Sequence, residues 1–260
     1  MLDLKLAIQL KSLKMPFKQA LLTAHQLGAK AVEIDARGDI RPQDLTNTAV
    51  RQLKKTLEDL HLRVAAVGFH TRRGYNAVED LDARVEATKA AMKMAQVLGA
   101  PVVVNQVGRV PTESQGRDWD MLVEVLRDLG LQGQRIGATL AAETGSERGP
   151  DLARLIAALP EGSLAVTFDP GNLMINGFSP QEAVEALGPH ILHVHANDGV
   201  RDLANGRGIH VRLGDGACDF PSLLATLEEH SYRGYLTLER QAGNDPVGDI
   251  AAGMKYLWSL

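Results

Sequence analysis

Eight short apolar segments rich in β-formers recur along the chain, and each is followed by a loop and a helical pattern. They are LKLAIQ (4–9), AVEID (31–35), RVAAVGF (63–69), PVVVNQ (101–106), IGATLAAE (136–143), LAVTFD (164–169), ILHVH (191–195) and YLTLE (235–239). The intervening segments, such as ARVEATKAAMKMAQVLG (83–99), place apolar residues three and four apart, the period of a helix with one buried face. Strict strand–helix alternation implies an all-parallel sheet, and right-handed crossovers close eight such units into a (β/α)₈ TIM barrel. A doubly wound open sheet would bring a G-x-G-x-x-G turn after its first strand, where this chain has LKSLKMP (10–16). Glycines in HQLGAK, QVLGAP and LEEHSYRG are expected to stop helices before the next strand. No linker, repeat or low-complexity run divides the pattern, so a single barrel domain is expected over 1–260. The longest irregular stretch, about 196–218, lies between the seventh strand and a helix starting near Phe220; a loop of that length on a barrel rim points to function.

Bulk properties exclude several classes. The length of 260 residues is that of one barrel domain, and 45% hydrophobic residues suffice for a core without disulfides. A lone cysteine, Cys218, excludes an internal disulfide and fits a reducing, cytoplasmic setting. There is no run of 18 apolar residues to cross a membrane, and the N-terminal segment alternates charged and apolar residues, unlike a signal peptide. A net charge of −4 without a basic run argues against a nucleic-acid partner. Nothing in the composition opposes a homo-oligomer.

Four residues with metal-binding side chains sit at the downstream ends of separate strands: Glu143, Asp169, His195 and Glu239. In a parallel barrel these ends gather on one rim. Any one of them alone could merely end a strand and cap a helix. Three carboxylates converging with an imidazole repel one another unless a cation joins them, and this mixed set suits one divalent ion, Mn²⁺, Mg²⁺ or Zn²⁺. Glu143 and Glu239 approach from different strands, an arrangement suited to proton transfer at a carbon beside a carbonyl through a metal-stabilised enediolate.

Other residues are candidates to bind substrate. His193 lies two residues from His195 on the same strand face, one layer deeper. In D-P-G-N (169–172), Asn172 is either a turn former or an amide aimed at a substrate hydroxyl. His70 and Asn105, at the ends of the third and fourth strands, could touch substrate or simply be polar strand ends. Glu33 could face the barrel mouth or pair with an arginine. Arg72, Arg73, Arg148 and Arg240 lie on rim loops where they could hold a phosphate or remain solvated. Cys218 has no neighbouring histidine in sequence to activate it. Phe69, Trp119 and Phe178 are either a sugar-facing wall or core.

The segments AAETG, FDPGN and HVHANDG, followed by VRLGDGACDFPSLLATLEEHSYRGYLTLE, resemble the xylose-isomerase-like barrels, which include sugar and sugar-phosphate isomerases and epimerases and the endonuclease IV nucleases. The resemblance implies one divalent ion held by Glu143, Asp169, His195 and Glu239, with the two glutamates as the acid–base pair. Arg201 matches an arginine that the ketose 3-epimerase branch carries six residues past its metal-binding histidine. The chain departs from that branch at Asn172, where the branch has histidine, and at Gly149, where it has an acid. Many relatives read H-x-K-D where this chain has His195, Ala196, Asn197 and Asp198.

These readings predict a metal-dependent isomerase or epimerase of a sugar, sugar phosphate or related hydroxy-carbonyl compound, with a keto-sugar lyase or dehydratase as the alternative on the same site. An endonuclease IV-like phosphodiesterase needs several zinc ions and further histidines, and this chain has Asn105, Asn172 and Gly208 at those places. A non-catalytic sugar-binding barrel has little need of two acid–base glutamates.

Overall fold

The computed structural model describes residues 4–201, 206 and 208–260; part of the 196–218 segment therefore lies outside the described residues. Eight parallel strands close into a barrel: β1 (Lys5–Gln9), β2 (Ala31–Asp35), β3 (Arg63–Gly68), β4 (Val102–Asn105), β5 (Thr139–Glu143), β6 (Ala165–Phe168), β7 (Ile191–Ala196) and β10 (Tyr235–Leu238). Each pairs with its sequence neighbour, and β1 closes on β10 in the register Lys5↔Tyr235 to Ile8↔Leu238. Every expected strand forms.

Alternation along these strands separates two interiors. Leu6, Ile8, Val32, Ile34, Val103, Leu140, Val166 and Leu236 face outward into the layer shared with the helices. The inward positions are small: Ala7 and Ala31 in one group, and Ala66, Val102, Val104, Ala141 and Ala165 in another. Continuing the inward parity by two residues reaches Gln9, Glu33, Glu143, Thr167, His195 and Thr237, so the barrel turns polar toward the strands' downstream ends.

The helices α1 (Phe17–Gln26), α2 (Asn47–Asp59), α3 (Leu81–Leu98), α4 (Arg117–Ile136), α5 (Gly149–Ala157), α6 (Pro170–Ile175), α7 (Pro180–Leu187), α8 (Phe220–Glu229) and α9 (Pro246–Trp258) surround the barrel. Helix α4 shows the logic: Trp119, Leu122, Leu126 and Leu129 recur three and four apart and are buried. No helix among the described residues is long and apolar enough to cross a membrane.

Three local expectations need correction. Glycine ends α3, where Gly99 adopts φ +76°. It does not end α8, however: Ser231 takes the left-handed conformation at φ +60°, and Gly234 only follows it. The D-P-G-N segment is no isolated turn. Pro170 starts α6, and the Asp169 carboxylate caps it by accepting from Asn172 N at 2.7 Å. Within the stretch after β7, β8 (Asp198–Val200) and β9 (Ile209–Val211) form an antiparallel pair.

Asp198 organises that rim segment. Its Oδ1 accepts from Gly199 N (2.8 Å) and Cys218 N (3.1 Å), and its Oδ2 accepts from Gly214 N and Gly216 N, both at 3.0 Å. Four charge-assisted bonds to one buried carboxylate tie both ends of the segment together. Asp198→Ala is expected to cost about 2–4 kcal/mol in urea unfolding and to expose the backbone around Gly214–Cys218 to limited proteolysis. Unchanged stability and cleavage would contradict this role.

Candidate metal centre

Four strand ends deliver the site. Glu143 closes β5, Asp169 follows β6, His195 lies near the end of β7, and Glu239 follows β10. One ligand atom from each can be chosen so that all lie within 4.8 Å of one another, and all four residues are buried. The Nδ1 of His195 is the hub, 2.9 Å from Glu143 Oε1, 3.0 Å from Glu239 Oε2 and 3.8 Å from Asp169 Oδ2.

The other imidazole nitrogen fixes what Nδ1 can be. Both ring nitrogens face carboxylates, Nε2 at 2.8 Å from Glu33 Oε2 and Nδ1 toward Glu143 and Glu239, so without a cation both carry protons. A cation at the cluster would displace the Nδ1 proton, while Glu33 keeps the Nε2 proton and so the ring's orientation. Among the described residues, the buried Glu239 Oε2 has no partner other than His195 Nδ1 at 3.0 Å. Donors held about 2.1 Å from one ion lie at most about 4.2 Å apart, so small inward shifts would let this cluster grip a divalent cation. The residues fit the ion.

The electrostatics carry the same message. Burial, with the charges of Glu239 and Glu143, pushes the Asp169 carboxyl well above its usual range. Burial alone would lower His195, but Glu33 and Glu239 overcome it and raise the imidazole well above its ordinary value. Glu143 moves the other way: burial opposes its charge, yet His70 and His195 hold it well below the carboxylate range. A divalent ion would relieve both the proton held on Asp169 and the one held on His195.

Further hydrogen bonds set the orientation of the cluster. Glu33 Oε1 accepts from Gln9 Nε2 (3.0 Å), Gln9 Oε1 accepts from Ser12 Oγ (2.7 Å), and Ser12 Oγ accepts from Arg240 N (3.0 Å). Glu143 Oε2 lies 3.2 Å from both His70 Nε2 and Gln106 Nε2, and Glu239 Oε1 accepts from Gln241 Nε2 at 3.0 Å. Asp169 Oδ2 accepts from Asn197 Nδ2 at 3.3 Å.

Two cavities open from the centre. The first, about 370 Å³, is lined by Gln9, Lys11, His70, Glu143, Glu239 and Arg240 among others. The second, about 400 Å³, shares Gln106, Glu143 and Gln241 with it and runs past Asn172 and Ser146.

The other sequence candidates scatter. His70 and the Asn172 side chain line the cavities, one in each. His193 is buried with its Nε2 3.1 Å from Glu33 Oε2, so it props Glu33 from below. Glu33 thus pairs with two histidines rather than with an arginine. Asn105 turns away from the mouth and donates to Phe69 O at 2.5 Å. It shares the outward parity of Val103, and its neighbour Gln106 faces Glu143 instead. Arg201 is exposed, and a Cβ at Gly177 would meet its guanidinium at 2.6 Å; it lines neither cavity. Arg148 pairs with Glu182 and Arg240 with Asp249. Phe69 and Trp119 belong to the core, and Phe178 packs against it. Burial and Asp198 push the Cys218 thiol up, which leaves it protonated.

Lys11, Gln9, Gln106 and Gln241 were not singled out in the sequence. Period-two parity from the inward alanines and valines would have found Gln9 and Gln106. Lys11 had no such signal, because it leaves β1 on a 3₁₀ turn (Leu10–Leu13). Burial disfavours its charge, but Glu239 and Glu33 outweigh that and raise the ammonium.

Known proteins share this arrangement's scaffold. An inosose dehydratase from Clostridium botulinum is 26% identical over 277 aligned positions, covering 92% of this chain and 86% of that protein. The crystal structure of a xylose isomerase domain protein from Planctomyces limnophilus superposes with a TM-score of 0.84 at 26% identity, over 92% of this chain and 91% of that one. The IOLI protein, whose structure holds a zinc atom, shows the same fold with a TM-score of 0.81 at 17% identity, over 98% of this chain and 97% of that one. The sequence pattern of the xylose isomerase-like TIM barrels matches residues 21–260, and with the closed eight-stranded barrel in hand the chain belongs to that family.

Proposed function

We propose that this chain is a divalent-metal-dependent isomerase or epimerase of a polyhydroxylated carbonyl compound, working by proton transfer beside the carbonyl. The observation that carries the reading is the placement of Glu143 and Glu239, three strands apart around the barrel, at 2.9 and 3.0 Å from the same His195 Nδ1 and bordering the same open cavity. A divalent ion held by Glu143, Asp169, His195 and Glu239 supplies Lewis acidity for a substrate carbonyl and its neighbouring hydroxyl. Zinc in the IOLI structure is consistent with such an ion, whose identity here we leave among Mn²⁺, Mg²⁺ and Zn²⁺.

The protein's own groups divide the work. Each carboxylate faces the centre with one oxygen and is held by a neutral amide at the other, Gln106 for Glu143 and Gln241 for Glu239. One glutamate takes the proton from the carbon beside the carbonyl, and the other returns it to the same carbon or to its neighbour. His70, on Glu143 Oε2, can pass a proton to and from that carboxylate. Lys11 supplies a fixed positive charge on the Glu239 side. The buried, unpaired Cys218 fits a reducing compartment such as the cytoplasm.

Similarity to inosose dehydratase favours a second reading, dehydration of a cyclic or open-chain keto-polyol. The first step is the same proton removal. The electron pair then forms a carbon–carbon double bond and expels the hydroxyl from the next carbon, which leaves as water after taking a proton from His70. Arg201 contributes to substrate binding in either case only by leaving Gly177, and Arg201→Ala should then raise KM without changing metal content; unchanged kinetics would leave it a surface residue.

Incubation of Mn²⁺-loaded enzyme in D₂O with ketoses, aldoses and inososes tests the function. Deuterium beside the carbonyl with skeleton retained marks isomerisation or epimerisation, and loss of water marks dehydration; no exchange with any member contradicts both. Glu239→Gln should stay folded, retain at least part of its metal and lose about two to four orders of magnitude in turnover. Near wild-type turnover with metal bound would move the base elsewhere.

A further inference from the structure

The second cavity differs in charge from the first. In the first, Arg240 is committed to Asp249 at 2.8 Å and Lys14 donates to Gly243 O at 3.3 Å, while Lys11 sits among the carboxylates of the centre. The second is lined by Arg72, Arg73 and Arg109, with Glu143 as its one lining carboxylate among the described residues. Arg73 pairs with the exposed Glu79. For the guanidiniums of Arg72 and Arg109, no hydrogen bond or ion pair exists among the described residues. Glu147 feels the charge of Arg109, but burial pushes its carboxyl up to about 7, so it does not fully neutralise that arginine near neutral pH.

The backbone carrying these arginines is pinned. Arg72 and Arg73 lie in the loop after β3, and Arg109 in the loop after β4. Tyr75 N donates to Val107 O (2.8 Å), Thr71 Oγ1 to Gln106 O (2.9 Å) and Asn76 Nδ2 to Arg109 O (3.2 Å). Gly74 and Gly108 meet so closely that a Cβ on Gly74 would lie 2.3 Å from Gly108 Cα, and Gly108 itself has φ +114°. Across the cavity, Gly145 at φ +133° packs on Asn172, where a Cβ would come within 2.7 Å of the asparagine Cβ. That contact fixes Asn172, which lines the same cavity together with Ser146. The cavity shares Glu143 with the centre, so a molecule held at its carbonyl end beside Glu143 extends naturally among the guanidiniums. Part of the ordering cost of binding is thus met in advance.

We infer that the substrate is anionic, with a carboxylate or phosphate remote from the reacting carbonyl bound by Arg72 and Arg109 in the second cavity. Guanidinium forks match either oxyanion. Both guanidiniums are exposed, so an oxyanion bound there exchanges solvent for charge-assisted bonds that a neutral polyol does not make. This inference rests on the proposed proton-transfer reading and names the class of molecule that reading acts upon.

Three ligands that differ only at C6 test it: D-fructose, D-fructuronate and D-fructose 6-phosphate, titrated calorimetrically into Mn²⁺-loaded full-length protein. At least one anionic ligand should bind about tenfold or more tightly than fructose, the worth of one charge-assisted bond. In the Arg72→Gln/Arg109→Gln variant that preference should fall to within about threefold, with metal content unchanged. A gain confined to fructuronate assigns a carboxylate and one confined to the phosphate ester assigns a phosphate; either supports the inference. Equal affinity for all three, binding of none, or a preference that survives in the double variant would overturn it. Deuterium exchange into bound fructose in D₂O is read separately, so the charge preference can fail while the proton-transfer reading stands.

Discussion

The hydrogen bond from His195 Nε2 to Glu33 Oε2 decides what the rest of the centre can be. When a cation takes the Nδ1 proton's place, this bond keeps the remaining imidazole proton on the buried side and leaves Nδ1 free as a ligand beside the three carboxylates. Without a cation the raised imidazole holds both protons, and its Nδ1–H meets Glu143 and Glu239 as an ion pair. Glu33 is in turn held by His193 and Gln9, so the choice is fixed several groups back from the metal position. Carboxylate-oriented histidines of this kind hold their ring orientation and are more basic ligands. The same carboxylate explains why a deep strand position carries a charge at all.

The barrel tolerates this concentration of charge because its two interiors are separate. Bulky outward residues from the strands pack against the helices, while small inward residues leave the axis free to become polar toward the rim. Stability therefore resides mainly in the outer layer. The rim can then hold repelling groups ready for a cation, an arrangement consistent with the strain often found at functional sites. The rim loops are not loose attachments: Asp198 gathers four backbone N–H groups, and Gly74 locks on Gly108.

Much of this was legible in the sequence, and the reason is periodicity. Strand–helix alternation specified the barrel, and residues at strand ends specified Glu143, Asp169, His195 and Glu239, because a parallel barrel brings all downstream ends to one rim. What strand ends alone do not report is parity. Asn105 and Gln106 differ by one residue, and only the alternation set by Val102 and Val104 shows that Gln106 faces inward. The partner of Glu33 was also hidden, since its histidines lie about 160 residues away and no local pattern links them. Short elements were the least visible: α6 was concealed by a proline and glycine that resemble a turn, and the β8–β9 pair by the polar, glycine-rich character of its segment. Ser231 ended a helix where glycine was expected, because a single left-handed residue is affordable when the next strand fixes the exit.

The central claim is that the four strand-end residues, oriented through Glu33, hold one divalent ion. Anomalous diffraction at the manganese edge from crystals of protein dialysed against Mn²⁺, with elemental analysis of the same sample, tests it most directly. The account predicts one ion per chain, about 2.0–2.3 Å from His195 Nδ1 and from oxygens of Glu143, Asp169 and Glu239. Two or three ions per chain, an ion seated instead between His193 and Glu33, or no ordered ion at this cluster would contradict it.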